Sequence, residues 1–130
     1  MSFELTMLVC SALLCLLMPL TYGFGEMQTP GGMEWGLSNR DTTINFPAWV
    51  DRAKRAHLNL LENLPAFAIL VIVATISGRL NWWTALGAGL FFFARVAYAA
   101  IYIAGLTGVR TVVFFIGTLG QLLILLQLLF

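Results

Sequence analysis

The chain has 130 residues, of which 60% are hydrophobic and 10% are charged, with a formal net charge of +1. Because soluble domains carry about 25% charged residues, this composition predicts an integral membrane protein in contact with the lipid bilayer. The small net charge and the lack of a basic run argue against nucleic acid as a partner. The length predicts one transmembrane domain over residues 1–130.

The first predicted span covers residues 4–22, an apolar stretch with Pro19 near its end. Crossing the hydrocarbon takes about 20 residues, so the stretch is just long enough. The alternative is a signal peptide, which would begin with basic residues. This segment has Glu4 and no Lys or Arg, so a retained span is the favoured interpretation.

Two cysteines, Cys10 and Cys15, lie five residues apart in this span. They point about 140° apart on a helix, so they cannot easily bridge each other, and their spacing is no metal motif. We expect them to pack as small apolar side chains. No metal site is predicted, and any thiol chemistry is expected to use a thiol from outside the protein.

Residues 23–46 are polar and rich in glycine, which predicts a loop and not a helix. A loop of this length is either disordered or folded over a site as a lid, and the sequence leaves both open.

The second predicted span covers residues 48–77 and begins with a charged stripe. At about 100° per residue, one helical face carries Arg52, Arg55, Asn59 and Glu62. Lipid cannot solvate such a stripe, so it must face other helices or a water-filled cavity. His57 is off the stripe and is interpreted as an interfacial residue, not a ligand.

The third and fourth predicted spans cover residues 82–104 and 109–130. The third has a second polar stripe of Arg95, Tyr98 and Tyr102, and Arg110 opens the fourth. The fold class is therefore an all-α membrane protein with a bundle of four transmembrane helices. Lys and Arg are concentrated in the first and third connections, which predicts that these face the cytoplasm and both termini do not.

Glu62 and Arg95 reach a similar depth from the same end of the bundle. Burying either charge unpaired in hydrocarbon would cost several kcal/mol of free energy. We therefore expect the two side chains to contact each other, within one chain or between chains. The remaining arginines outnumber the acids, and guanidinium groups match carboxylates in bidentate fashion, so the pattern favours a small ligand with several carboxylates. The alternative is that these residues only hold helices together.

The chain resembles the MAPEG family, membrane-associated proteins in eicosanoid and glutathione metabolism, at three places: Arg55-Ala56-His57 with Asn59 and Glu62 following, Arg95-Val96-Ala97-Tyr98 with Tyr102, and Arg110. The resemblance covers nearly the whole chain, and it is to a bacterial-type member of the family that is similar to microsomal glutathione transferases. It implies a homotrimer with sites between subunits. Two positions differ from the family: Thr21-Tyr22-Gly23 stands where eicosanoid enzymes have an arginine, and Phe114 replaces a tyrosine.

The resemblance implies that glutathione is the cosubstrate and that Arg110 stabilises its thiolate. The glutathione-binding residues it implies are Arg52, Arg55, Asn59, Glu62, Arg95, Tyr98 and Tyr102. The function expected is a membrane glutathione transferase or peroxidase that attacks lipophilic electrophiles or hydroperoxides, with its site facing the cytoplasm. The alternative is a non-catalytic bundle that binds a thiol peptide or lipid, or supports another membrane complex.

Overall fold

Four apolar stretches form long helices, and a short helix lies between the first two. The structure is a computed structural model that describes all residues, 1–130. Its helices are α1 Phe3–Gln28, α2 Gly32–Leu37, α3 Ala48–Ile76, α4 Trp82–Ile103 and α5 Val109–Leu129, with no strands. All except α2 are long and apolar enough to cross a membrane. The predicted fold class, an all-α bundle with four spans, is confirmed.

The first span is longer than predicted. Its predicted end is residue 22, but α1 continues through Gly23 and Gly25 to Gln28. A Cβ atom at Gly25 would lie 2.5 Å from the Trp49 ring and 2.7 Å from the Val50 side chain. Glycine therefore lets α1 approach α3 closely, and this packing outweighs the low helix propensity of glycine.

Half of the predicted loop 23–46 is helical, contrary to expectation. After the end of α1 the chain forms α2, and the residues between α2 and α3 fold back on it. The Trp35 indole donates a hydrogen bond to the Thr42 carbonyl (2.6 Å), and its ring packs edge-on against Phe46. Lys54 of α3 forms an ion pair with Glu26 of α1 and lies 4.7 Å from the Phe46 ring centre. The segment is thus packed against the bundle.

The other three long helices end one residue before the predicted bounds of 77, 104 and 130, a difference of the size usual at helix ends. The start of α4 is fixed by a capping box. The Asn81 side chain accepts hydrogen bonds from the backbone N–H groups of Trp83 and Thr84, and Thr84 accepts one from Asn81 in return. These bonds satisfy amides that the helix itself leaves free.

An apolar core joins α3, α4 and α5 near the middle of the bundle. The rings of Phe67 and Phe91 stack with centres 3.9 Å apart, and Val71, Ala88 and Ile124 are fully buried around them. This packing holds α3 and α4 side by side and antiparallel. As a result, the charged first half of α3 faces the last turns of α4.

The end of the bundle near the chain termini contains a polar network in which side chains have partners. Buried Glu4 accepts a hydrogen bond from the Thr84 hydroxyl (2.6 Å). The Asn81 amide donates to the Gln127 side chain (2.9 Å), and Arg79 donates to the Gln127 and Leu128 carbonyls at the end of α5. We call these residues, Glu4, Arg79, Asn81, Thr84 and Gln127, the terminal network.

Candidate functional site

The two arginines of the charged stripe on α3, which we call the arginine stripe, meet the last turn of α4. This end of the bundle is opposite to the terminal network. Arg52 Nε donates to the carbonyl oxygen of Ile103 (3.1 Å), and Arg55 Nε donates to the Tyr102 hydroxyl (2.8 Å). Arg55 is exposed, while Arg52 is half-buried. Each arginine therefore uses one N–H group within the chain and has further donors left for a ligand.

Arg95 lies deeper, and it is almost fully enclosed, with 2% of its surface exposed. Its Nη1 donates to Asn59 Oδ1 (2.8 Å), and the guanidinium lies 5.1 Å and 4.9 Å from the ring centres of Phe91 and Phe114. Its Nε and Nη2 atoms have no hydrogen-bond partner. A buried cation with unsatisfied donors is costly, so Arg95 has unused capacity to bind an anion or a carbonyl oxygen.

Two residues of α5 that the sequence interpretation did not assign to the site shape the surroundings of Arg95. Besides Phe114, Gly117 gives the guanidinium room, because a Cβ atom there would lie 3.1 Å from Arg95 Nη2. Arg110, Phe114 and Gly117 follow each other at steps of four and three. This helical spacing is the signal in the sequence that could have placed both residues at the site.

Tyr102 is the centre of the polar cluster. Its hydroxyl accepts the hydrogen bond from Arg55, the Arg110 guanidinium lies 4.3 Å from its ring centre, and Tyr98 packs edge-on against it. Tyr98 also contacts Phe114 (ring centres 6.3 Å apart). One tyrosine thus connects α3, α4 and α5, and it brings Arg110 to the same place as the stripe.

Glu62 makes no ion pair with the arginines of this cluster. The predicted contact with Arg95 is not formed within the chain: Glu62 is exposed, and the ion pair within 4 Å that the structure contains joins Lys54 and Glu26. Asn59 takes the place beside Arg95. The reason is rotation, since Glu62 lies three residues or about 60° around α3 from Asn59. A contact between Glu62 and Arg95 of different chains stays a prediction.

His57 faces α1, away from the arginine stripe. One ring nitrogen, Nδ1, lies 3.0 Å from the Tyr22 hydroxyl. The Thr21-Tyr22-Gly23 segment, which lacks the arginine of the eicosanoid enzymes, thus contacts α3 through this tyrosine. No group of three or more His, Cys, Asp and Glu side chains is close enough together to hold a metal ion.

The cluster contains a marked excess of positive charge. Four guanidinium groups, which we call the arginine cluster, come together around Tyr98, Tyr102 and Asn59: those of Arg52, Arg55, Arg95 and Arg110. None of the four has a carboxylate within 4 Å. Such a site can bind a small anion through bidentate guanidinium–carboxylate hydrogen bonds, and it can stabilise a negative charge that forms on the bound molecule.

Comparison with known proteins gives one match of long extent. The model of the MAPEG family matches residues 6–130. No curated protein matches the chain. The matched range contains all four long helices from the second turn of α1 onward, and every residue of the arginine cluster. The chain therefore belongs to the MAPEG family, as its sequence motifs had indicated.

Proposed function

We propose that the protein binds glutathione and activates its thiolate for attack on lipophilic electrophiles or hydroperoxides dissolved in the bilayer. The family includes glutathione transferases and peroxidases as well as non-catalytic members, so membership alone does not decide the activity. The observation that carries the proposal is the arginine cluster: four guanidiniums at one end of the bundle without a carboxylate partner in the chain.

Glutathione suits this cluster because it has two carboxylates, peptide groups and a thiol. Arg52 and Arg55 lie at the outer part of the cluster, where their remaining N–H groups can bind the carboxylates. Asn59, Tyr98 and Arg95 line the deeper part and can bind the peptide groups. Tyr102 supports this set by holding Arg55 in place (2.8 Å).

Arg110 is the residue assigned to activation. A thiol is a weak nucleophile at neutral pH, because a free pKa of about 8.5 leaves only a few per cent as thiolate. A fixed guanidinium within about 4 Å typically lowers the pKa of such a group by about 1–3. Arg110 is held against the Tyr102 ring at the start of α5, where a thiol from water and a substrate from lipid can meet.

A homotrimer with glutathione sites between subunits is part of the proposal. It rests on the family resemblance, and exposed Glu62 supports it. This carboxylate lies near the middle of α3, a helix of 29 residues, and lipid cannot solvate it. A second copy would cover Glu62 and could give its carboxylate a polar partner. Native mass spectrometry in detergent should find a trimer, and a stable monomer or dimer would contradict this part.

The proposed orientation places both termini outside the cytoplasm and the arginine cluster on the cytoplasmic side. It is supported by the positions of Arg52, Lys54, Arg55 and Arg110 at that end, against Arg79 alone at the other. A reporter fused after Phe130 should be active only if it functions outside the cytoplasm. Activity of a reporter that requires the cytoplasm would reverse the orientation.

The second candidate is a binding protein without catalysis. Phe114 favours it, because its ring packs on Arg95 and Tyr98 without a hydroxyl that could donate to a thiolate. In this case the protein would bind glutathione, another thiol peptide or a lipid, and leave the thiol protonated.

The deciding experiment measures binding and ionisation of glutathione on the same sample. Protein in lipid nanodiscs is titrated with glutathione by calorimetry, and the ultraviolet absorbance of the thiolate is recorded at pH 7. Turnover is then measured with a generic aromatic electrophile and with a lipid hydroperoxide. Binding with thiolate and turnover supports the transferase or peroxidase. Binding without thiolate supports the second candidate, and no binding of glutathione overturns the proposal.

A further inference from the structure

A second group of reactive side chains lies between α1 and α3, on the opposite face of α3 from the arginine cluster. Cys15 Sγ lies 3.6 Å from His57 Nε2, and the other ring nitrogen of His57, Nδ1, lies 3.0 Å from the Tyr22 hydroxyl. The three residues form a chain of contacts in which a thiol meets a base and a third group orients that base. This is the arrangement that activates nucleophiles in enzymes.

We propose that Cys15 is a nucleophilic thiol with His57 as its general base, and that it is alkylated by lipophilic α,β-unsaturated carbonyl compounds from the bilayer. Tyr22 is a positioning residue in this proposal. The site is independent of glutathione, because the sulfur belongs to the protein. It also differs from the sequence expectation that Cys15 only packs in the first span.

The surroundings of Tyr22 and His57, the two residues next to the thiol in this chain of contacts, fit this class of substrate. Tyr22 and His57 line a cleft of about 640 Å³. Leu58 and Leu61 form an apolar side of the cleft and are about half exposed, 54% and 45%. Lys54 forms part of its polar side. A molecule with a hydrocarbon chain and a polar carbonyl group can therefore lie in the cleft with each part in a suitable environment.

The reaction balances without an oxidant or a metal. Sγ of Cys15 forms a bond to the β-carbon of the electrophile while the carbon–carbon π bond breaks. The thiol proton moves to His57 Nε2, and the resulting imidazolium returns it to the α-carbon. In a low-dielectric environment a neutral thiol–imidazole pair is favoured over an ion pair. The base is thus needed as the bond forms, which is general-base catalysis.

The reaction requires one of the two neutral tautomers of His57. With the proton on Nδ1, that N–H donates to the Tyr22 oxygen and Nε2 is free to accept the thiol proton. With the proton on Nε2, the ring can only donate to the sulfur. The proposal assigns the first tautomer, and replacing Tyr22 distinguishes the two.

The chain provides its own control, because Cys10 lies on the same helix, is also partly buried and has no histidine partner. Protein in lipid nanodiscs without glutathione is treated with N-ethylmaleimide, or with 2-nonenal, and adducts at each cysteine are followed by mass spectrometry. Cys15 should react at least about tenfold faster than Cys10, since general-base catalysis typically contributes about 10²–10⁴-fold. A charged, sulfonated maleimide should label Cys15 much more slowly than the neutral one.

Two variants test the assigned roles. His57→Gln should slow Cys15 at least about tenfold while the rate at Cys10 stays unchanged, which shows that the helix packing is intact. Tyr22→Phe should also slow Cys15, by less, and not Cys10. Equal rates at the two cysteines in the wild type, or a Cys15 rate unaffected by His57→Gln, would overturn the proposal. If His57→Gln fails to assemble, the wild-type ratio and Tyr22→Phe decide it.

Discussion

The two ends of the bundle treat polar side chains in opposite ways. In the terminal network, Glu4 has the Thr84 hydroxyl, Asn81 has Gln127, and Arg79 has two carbonyl groups. In the arginine cluster, donors outnumber acceptors, and the buried Arg95 has two nitrogen atoms without a partner. A network whose polar groups all have hydrogen-bond partners within the chain can be explained by its contribution to the stability of the fold. A cluster with free donors fits the proposal that something binds there, either a ligand or another chain.

The largest effect on stability is expected at Glu62. This residue tests whether the free donors of the arginine cluster are satisfied by another chain, as the side chains of the terminal network are satisfied within one chain. If Glu62 of one chain pairs with Arg95 of another, Glu62→Gln leaves a buried cation unpaired and should destabilise the oligomer by about 3–5 kcal/mol. The combined variant Glu62→Gln with Arg95→Gln should lose less than this. Thermal unfolding and native mass spectrometry measure both, with Glu34→Gln as a control on α2. A double variant less stable than Glu62→Gln would show that the two side chains do not pair.

Arg110 tests whether the free charge serves catalysis. Arg110→Ala should keep most of the affinity for glutathione but lose the thiolate absorbance and reduce turnover about tenfold or more, because a guanidinium near a thiol favours its ionised form. Arg79→Ala, an arginine of the terminal network, should leave both readouts unchanged. If Arg110→Ala turns over as fast as the wild type, the assigned mechanism is wrong.

A change in the terminal network should affect stability and not binding. Thr84→Val leaves the buried carboxylate of Glu4 without its hydroxyl donor, which should cost about 1–3 kcal/mol. Unfolding temperature is expected to fall while the dissociation constant of glutathione stays the same. Glu4→Gln retains an acceptor for Thr84 and should be milder. A loss of glutathione affinity in Thr84→Val would show that the two ends are coupled.

The smallest effect is expected at Tyr102. Tyr102→Phe keeps the ring under Arg110 but removes the acceptor for Arg55, so it should weaken glutathione binding by about 1 kcal/mol, or roughly fivefold. Turnover at saturating glutathione should change little. Tyr22→Phe, on the other face of α3, is the matched control. Equal binding by the wild type and Tyr102→Phe would mean that Arg55 does not contact the ligand.

The four spans could be predicted from the sequence because an apolar run of about 20 residues has the length that a helix needs to cross the hydrocarbon layer. The length of α1 could not. Glycine at residues 23 and 25 predicts a loop from local propensity, but the contact between Gly25 and Trp49 arises only when α3 packs alongside. Propensity is a weak signal where two helices must approach closely.

In the candidate site, too, one part could be predicted from the sequence and another part depends on how the helices pack. Residue counts along a helix give depth, so Arg95 could be placed level with the second half of the α3 stripe. They do not fix rotation. At 100° per residue, Asn59 lies about 20° around α3 from Arg52, whereas Glu62 lies about 80° from it. Asn59, not Glu62, therefore reaches Arg95.

The length of α3 sets where each part of the arginine cluster stands. Its 29 residues span about 43 Å, whereas the hydrocarbon layer is about 30 Å thick. If roughly the last 20 residues of the helix fill that layer, about nine residues at its start stand among the lipid headgroups, and these include Arg52 and Arg55. The pair of Asn59 and Arg95 would then form the floor of the proposed site, at the edge of the hydrocarbon nearest to those headgroups. A water-soluble peptide could reach its reaction partner there without crossing into oil, and a lipid-soluble partner could reach it without leaving.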